Sequence, residues 1–301
     1  MSGRWRVAAV AAVAAVLALA GCTAGGSSPT PSATPSPIPT AVLAGIIVEV
    51  RQGRSTWAQR VVQVRVVNAG PADLSVAAVR LTTPDVEGVA ATDRGRVLRA
   101  GVDRDFSVAL GEPVCDDGGD DVGDEAPQVE VDLTDDRGRR STVVAEPADP
   151  QGHLPRIHGE DCAEVAVASG ATLTLADTIT TADLGGTLAA EVQLEVVPVA
   201  GGPRVEVTQV DRTVLLAPPG GAVSWPVALD TADGGGAVAL PAVAGRCDLH
   251  AVADDKRGTF FGVHTRVDGV EQPVFYLASS EALRSALFTF IRTACGVPAD
   301  G

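Results

Sequence analysis

The densest group of potential metal ligands is an acidic run that follows Cys115 directly. Six carboxylates fall within ten residues: Asp116, Asp117, Asp120, Asp121, Asp124 and Glu125. Carboxylate oxygens are the ligands that Ca²⁺ prefers, so this run could bind calcium. Its spacing does not match an EF-hand loop, which places acids at alternate positions and a glycine at the sixth. Mixed Gly and Asp also form ordinary solvated loops, and both interpretations stay open.

A second group of potential ligands lies some thirty residues further along the chain. It consists of His153, His158, Glu160, Asp161 and Cys162. Histidine and cysteine could bind zinc. However, the chain contains no CxxC or HExxH pattern, and an exported cysteine is more often part of a disulfide. We therefore expect no metal here, and no part of the sequence predicts a cofactor.

Two further histidines, His250 and His264, flank a charged turn. The turn consists of Asp254, Asp255, Lys256 and Arg257. Either imidazole could form an acid–base pair with one of the two aspartates. The turn is most simply a charged hairpin loop, and it is also a candidate binding surface. No Gly-x-Ser-x-Gly pattern, which marks the nucleophile of many serine hydrolases, occurs in the chain.

The N-terminal segment predicts where the protein is located. Arg4 and Arg6 precede thirteen unbroken apolar residues, a run of about 20 Å as a helix. That is too short for a hydrocarbon core of roughly 30 Å and is typical of a signal peptide. The run ends in Leu19-Ala20-Gly21-Cys22, which resembles the lipobox of bacterial lipoproteins. The resemblance implies that residues 1–21 are removed and that Cys22 carries a lipid anchor.

Residues 22–40 are rich in Pro, Ser and Thr, and we expect them to form a semi-rigid tether. At about 3.1 Å per residue the tether would reach roughly 50 Å. Loss of residues 1–21 removes two arginines and changes the formal net charge from −15 to −17. This charge opposes binding to nucleic acid.

From residue 46 onward the chain alternates apolar and polar residues. Val62, Val64 and Val66 point to one side of a predicted strand, and Val192, Leu194 and Val196 repeat the pattern. Short segments of this kind, separated by Gly, Pro, Asp and Asn, are typical of β-sandwiches. Further predicted strands cover residues 46–51, 74–81, 105–110, 129–133, 140–144, 172–176, 204–215, 224–229, 249–253, 259–266 and 270–276.

We therefore predict an all-β fold of two tandem Ig-like antiparallel sandwiches, residues 41–165 and 166–301. Three pairs of segments match between the halves and favour a duplicated module: residues 64–71 with 194–201, 106–110 with 225–229, and 135–138 with 254–258. Four cysteines remain after Cys22, and they allow three disulfide connectivities. The repeat favours Cys115–Cys162 and Cys247–Cys295.

A single amphipathic helix is predicted near the C-terminus. Ser279 and Ser280 can cap it, and Glu281 suits its first turn. Its apolar stripe consists of Leu283, Leu287, Phe290, Ile291 and Ala294. We expect this stripe to pack on the second sandwich, with a partner-binding surface as the alternative.

The lipobox, the tandem sandwiches and the stretch Arg246-Cys247-Asp248 with residues 254–259 together resemble lipoproteins of high-GC Gram-positive bacteria. That resemblance implies no activity. The favoured hypothesis is a non-catalytic protein, anchored by lipid to the outer face of the cell membrane, that binds or scaffolds an envelope protein or glycan. The alternative is a secreted hydrolase or metal-dependent enzyme whose site gathers His153, His158, His250 or His264.

Overall fold

The computed structural model describes residues 36–53, 56–115, 126–248 and 258–297. These residues form eighteen strands, three helices and two short 3₁₀ turns. All strand pairs are antiparallel, as a sandwich fold requires. The predicted all-β class is confirmed.

Module 1, residues 46–145, is a sandwich of two sheets that follows a short helix, α1 (Thr40–Leu43). One sheet has the order β1-β2-β6, and the other has the order β4-β3-β7-β8 with β5 on β3. The strands are β1 (Ile46–Arg51), β2 (Val61–Asn68), β3 (Leu74–Thr82), β4 (Ala90–Thr92), β5 (Arg96–Leu98), β6 (Val102–Ala109), β7 (Gln128–Asp135) and β8 (Arg140–Ala145).

Module 2, residues 171–294, is a second sandwich followed by its own helix. One sheet has the order β10-β11-β15-β13 with β9 on β11, and the other has the order β14-β12-β16-β17 with β18 on β16. The strands are β9 (Ala171–Leu175), β10 (Thr180–Asp183), β11 (Leu188–Pro198), β12 (Val205–Asp211), β13 (Leu216–Ala217), β14 (Ser224–Asp230), β15 (Gly236–Ala244), β16 (Phe260–Val267), β17 (Val270–Glu271) and β18 (Phe275–Ala278).

Each module has a hydrophobic core between its two sheets, built from the alternating residues. Val62, Val64 and Val66 are buried on one face of β2, and Val192, Leu194 and Val196 are buried on one face of β11. The two cores are separate clusters. Both strands therefore confirm the period-two prediction, since every second side chain of a strand points to the same face.

The two modules share the topology of five strands. The chain order β1-β2-β3-β6-β7 in module 1 corresponds to β9-β11-β12-β15-β16 in module 2, with the same neighbours in each sheet. This equivalence supports the match between residues 64–71 and 194–201, which cover the C-terminal ends of β2 and β11 and the three residues after each strand. It shows that the match between residues 106–110 and 225–229 is wrong, because β6 pairs with β2 whereas β14 pairs with β12.

The counterpart of β6 is β15, which pairs with β11. The sequence did not predict this strand, because its Gly, Ala and Pro residues have low strand propensity. The third match is wrong for a similar reason. Residues 135–138 form the turn between β7 and β8, so their counterpart is the Asp268–Gly269 turn between β16 and β17, whereas residues 254–258 precede β16.

A helix that the sequence did not predict, α2 (His153–Gly170), joins the modules. The Asp149 carboxylate accepts hydrogen bonds from the backbone N–H groups of His153 and Leu154, both at 2.8 Å, and so caps the helix. Pro155 lies in the first turn, where a missing N–H is harmless. The boundary predicted at residue 165 falls inside this helix, which contributes to both cores.

The C-terminal helix, α3 (Glu281–Ala294), matches its prediction. The Ser280 hydroxyl accepts a hydrogen bond from the Leu283 N–H at 3.1 Å. Gly296, at φ +65°, lies just beyond the helix in the conformation of a C-terminal stop. Leu283, Leu287, Phe290 and Ile291 are buried in the core of module 2. The stripe is therefore core and not a free partner-binding surface.

Each sandwich has one disulfide, which joins a loop of that sandwich to the helix that follows it. Cys115–Cys162 joins the loop after β6 to α2, and Cys247–Cys295 joins the loop after β15 to the end of α3. The predicted disulfide bonds are confirmed, and the pairs are those that the internal repeat favoured. They indicate an oxidising, extracytoplasmic compartment.

None of the helices in the described ranges combines the length and the apolar composition that crossing a bilayer requires.

Candidate binding crevice between the modules

A crevice of about 340 Å³ lies where α2 meets both modules. It combines four aromatic side chains with three carboxylates. Its lining includes Gln52, Trp57 and Arg60 of module 1, Ile157, Glu160, Asp161 and Glu164 of α2, and Phe260, Phe275 and Tyr276 of module 2.

The aromatic wall of the crevice brings together rings from both modules. Trp57 lies in the 3₁₀ turn Trp57–Gln59 between β1 and β2. Its ring centroid is 4.5 Å from that of Tyr276 and 5.4 Å from that of Phe260, with interplanar angles of 82° and 74°. These are edge-to-face contacts, a preferred geometry for aromatic pairs. Strand pairing places Gly262 opposite Tyr276, so Phe260 and Tyr276 are diagonal neighbours on one face.

The carboxylate wall comes from α2. The guanidinium of Arg60 contacts the Asp161 carboxylate at 2.6 and 3.1 Å and donates to the Gly111 carbonyl at 2.7 Å. Arg60 closes the 3₁₀ turn in the left-handed conformation, with φ +51°. One turn earlier on the helix, Arg156 contacts Glu160 at 2.7 Å in an i,i+4 ion pair. Arg156 also donates to the Gln52 side chain.

Glu164, whose side chain remains partly exposed to solvent, completes this wall. Burial of its carboxyl group raises the pKa of Glu164, the charge of Asp161 raises it further, and Arg60 opposes both effects. The lining contains three carboxylates and one guanidinium, and Arg156 pairs with Glu160 from outside the lining, so the carboxylates outnumber the guanidiniums by one. Such a site favours neutral or cationic ligands over phosphates, and its rings offer apolar surface beside hydrogen-bond acceptors.

His264 has a partner that the sequence did not predict. Its Nε2 lies 3.0 Å from the Asp211 carboxylate and 3.3 Å from the side-chain nitrogen of Gln209. Gln209 is the residue directly opposite His264 in the β12–β16 pair, and Asp211 is two residues further along β12. The expected partners Asp254 and Asp255 lie outside the described residues, as does His250.

The two histidines of α2 have different neighbours. His153 begins the helix, and its Nδ1 is buried without a hydrogen-bond partner. His158 lies 3.7 Å from the Cys162 sulfur and 3.9 Å from the Asp85 carboxylate. Among the described residues, His158 and His264 thus contact separate sets of side chains, and the Nδ1 of His153 has no hydrogen-bond partner.

The remaining potential zinc ligands of α2 form a disulfide or ion pairs. Cys162 is bonded to Cys115, while Glu160 and Asp161 pair with arginines in the crevice. Within the described part of the chain, no group of three or more His, Cys, Asp or Glu side chains is arranged for a metal. Several candidates lie outside the described residues: the lipidation site Cys22, the acidic residues 116–125 and the turn residues 254–257.

The crevice was not predicted from the sequence, although its composition holds one clue. The chain has only ten aromatic residues, three Trp, one Tyr and six Phe. Four of them line the crevice, including the single tyrosine. Only the tertiary structure shows that residues 57, 260 and 276 meet.

Comparison with known proteins identifies no relative. No family model matches the sequence, and no curated protein matches it. A red sea bream transglutaminase structure is 11% identical, with a TM-score of 0.23, over 78% of this chain and 31% of the transglutaminase. The Bacillus subtilis sporulation control protein Spo0M is 12% identical, with a TM-score of 0.19, over 84% of this chain and 98% of Spo0M. Likenesses this distant carry no argument about function.

Proposed function

We propose that this chain is a non-catalytic, lipid-anchored protein of a bacterial cell envelope that binds a neutral or amine-bearing glycan in the crevice between its modules. The observation that carries the proposal is the convergence of Trp57, Phe260 and Tyr276 on one crevice whose lining has excess negative charge. Aromatic rings supply apolar contact area, and carboxylates accept hydrogen bonds from hydroxyl or ammonium groups.

The lipid anchor is proposed from the lipobox-like sequence that ends at Cys22. Lipidation of Cys22 would hold the protein to the membrane, and residues 22–40 would raise the modules above it. The two disulfides support export to an oxidising compartment. The anchor is tested by labelling cells with an alkyne-bearing fatty acid. The label is expected on the wild-type chain and absent from Cys22→Ser, and an equally labelled Cys22→Ser chain would contradict the proposal.

The glycan site is tested with two defined oligosaccharides. N-acetylglucosamine tetramer is the neutral probe, and the glucosamine tetramer is the amine-bearing probe. Calorimetry is expected to show binding of at least one probe, weakened at least about tenfold in Trp57→Ala, because the central ring is lost. Glu164→Gln is expected to weaken only the glucosamine tetramer, because it removes a negative charge and keeps the shape.

The control for these variants is Val144→Ala, an exposed apolar residue of β8 that does not line the crevice. It is expected to bind both probes like the wild type. Failure of both oligosaccharides to bind would contradict the glycan proposal. Binding that survives both Trp57→Ala and Glu164→Gln would place the site elsewhere. Cross-linking on intact cells would then search for an envelope protein partner instead.

The enzymatic alternative needs several imidazoles at one site. The three described imidazoles have different neighbours, and no observation in the described residues favours a hydrolase or metal-dependent enzyme. Calcium binding by residues 116–125 and partner binding by residues 254–257 remain sequence-based hypotheses.

A further inference from the structure

The two disulfides of this protein are closely matched in geometry, and the described residues show a chemical difference beside their helix cysteines. They close loops with sequence separations of 47 and 48 residues, and their Cα–Cα distances are 5.4 and 5.3 Å. In each, the sulfur of the helix cysteine approaches the carbonyl of the residue before the loop cysteine: Cys162 is 4.0 Å from the Val114 oxygen, and Cys295 is 3.8 Å from the Arg246 oxygen.

The difference lies one helical turn before the helix cysteine. In α3 the residue four positions before Cys295 is Ile291, which is fully buried in the core of module 2. In α2 the residue four positions before Cys162 is His158, whose Nδ1 and Nε2 atoms lie 3.7 and 3.8 Å from the Cys162 sulfur.

A carboxylate also lies near this imidazole. The Asp85 carboxylate is 3.9 Å from His158 Nδ1, and it accepts a hydrogen bond from the Thr83 hydroxyl at 3.0 Å. The side chain of His158 is 34% exposed, and Cys115 and Cys162 are half-buried, so the group borders solvent. The Asp85 carboxylate and the Cys162 sulfur thus both lie within 4.0 Å of the His158 ring nitrogens.

We propose that Cys115–Cys162 is a thiol–disulfide exchange site that reacts with an external dithiol, whereas Cys247–Cys295 is a structural link. A thiolate of the dithiol attacks the Cys115 sulfur, and the S–S bond breaks. The bonding electron pair leaves on the Cys162 sulfur, as a thiolate beside His158. A protonated imidazole stabilises a neighbouring thiolate and so makes that sulfur the better leaving group.

The second thiol of the dithiol completes the reaction. It loses its proton and attacks the first sulfur of the dithiol, which is bonded to Cys115 in the mixed disulfide. Cys115 is released as a thiolate and takes up a proton. The dithiol is thereby oxidised to its own disulfide, and Cys115 and Cys162 are reduced by two electrons. In the reverse sequence the reduced Cys115 and Cys162 thiols reduce a disulfide of the partner to a dithiol and return to the disulfide state, so the same chemistry serves donation or removal of a disulfide.

The test compares both disulfides within the same molecules. The full chain is equilibrated in mixtures of reduced and oxidised dithiothreitol, quenched with acid and alkylated, and the four cysteines are quantified by peptide mass spectrometry. The equilibrium constant for reduction of Cys115–Cys162 is expected to exceed that of Cys247–Cys295 by about tenfold or more, which is ~30 mV per tenfold for a two-electron couple. Equal constants would overturn the proposal.

The variant His158→Gln tests whether the imidazole, rather than solvent access to the disulfide, favours reduction of Cys115–Cys162. It is expected to lower the first constant by roughly three- to tenfold and to leave the second unchanged. If both constants stay unchanged, the imidazole has no role and the proposal fails. Asp85→Asn is a second variant that leaves the helix intact, and it is expected to shift the first constant in the same direction by a smaller factor.

A kinetic measurement on the reduced protein gives an independent readout. At neutral pH, iodoacetamide is expected to alkylate Cys162 several-fold faster than Cys295, because only the thiolate reacts. The difference is expected to disappear in His158→Gln. Equal rates at the two helix cysteines of the wild type would contradict the proposal, even if the equilibrium constants differed for other reasons.

Discussion

Modules 1 and 2 have the same strand topology and equivalent disulfides, but they use their helices differently. All four buried residues of the α3 stripe belong to the core of module 2. Helix α2 is divided between the cores: Leu154 and Ile157 pack in module 1, whereas Ala163 and Val167 pack in module 2. The first copy of the helix is therefore the junction of the protein, and the candidate crevice forms beside it.

This difference shows how two modules with similar topology can differ in surface without a new element. A helix that closes one sandwich needs a single apolar stripe, whereas a helix between two sandwiches needs apolar residues at different places along its length. The polar residues of α2 between these patches, Glu160 and Asp161, face the gap and line the crevice.

The largest expected effect concerns the disulfide that each module contains. The double variants Cys115→Ser/Cys162→Ser and Cys247→Ser/Cys295→Ser are each expected to lower the free energy of unfolding by ~4 kcal/mol, because loops of 47 and 48 residues lose nearly the same chain entropy. Denaturant unfolding measures both. A difference well above about 1 kcal/mol would show that the two links are not energetically equivalent.

The next effect concerns the core role of α3. Leu287→Ala is expected to destabilise the protein by roughly 2–5 kcal/mol, because the fully buried side chain leaves a cavity in the core of module 2. The control is Ser285→Ala, an exposed position of the same helix, which is expected to change stability by less than about 0.5 kcal/mol. Thermal unfolding of the two variants measures the contrast, and similar values would mean that the stripe is not core.

Two glycines of α2, the helix that joins the modules, test how closely this helix packs against module 2. At Gly170 an added Cβ would lie 2.3 Å from the Pro203 carbonyl oxygen, so Gly170→Ala is expected to cost about 1–3 kcal/mol. At Gly159 the nearest atoms, in the Pro273 side chain, are 3.6 Å away. Gly159→Ala is therefore expected to stabilise the helix by about 0.5–1 kcal/mol. Effects of the same sign, measured by denaturant unfolding, would contradict this placement of α2.

The smallest effect is the pH dependence of Glu164. Its folded-state pKa is raised, so its protonation stabilises the fold fully below the unfolded pKa, and that gain is lost as pH rises through the folded pKa. Glu164→Gln is therefore expected to be more stable than the wild type at neutral pH by a few tenths of a kcal/mol, since solvent screens this exposed side chain. The difference should vanish on acidification. Denaturation at several pH values measures it, and a constant difference would contradict the assigned cause.

Prediction from sequence succeeded where the signal is local. The alternation in β2 and β11 follows from strand geometry, and the stripe of α3 with its Ser280 cap follows from helix geometry. Helix α2 lacks such a signal, because Pro155 and Gly159 reduce its helix propensity and its apolar residues serve two cores. Strand β15 was missed because packing, rather than propensity, makes a strand of its Gly-, Ala- and Pro-containing segment.

The sequence by itself determined the all-β class and the C-terminal helix, because strand and helix patterns depend on regularly spaced residues. It also identified the cysteines that form disulfides, and its N-terminal segment predicts an anchored, exported chain. Only the tertiary structure decided which strands of the two modules correspond, that Trp57 meets Phe260 and Tyr276, that Asp211 pairs with His264 and that His158 lies beside Cys162 and Asp85. The crevice contacts and the strand and ion pairs join residues far apart in the chain, and their positions follow from how the sheets and α2 pack together.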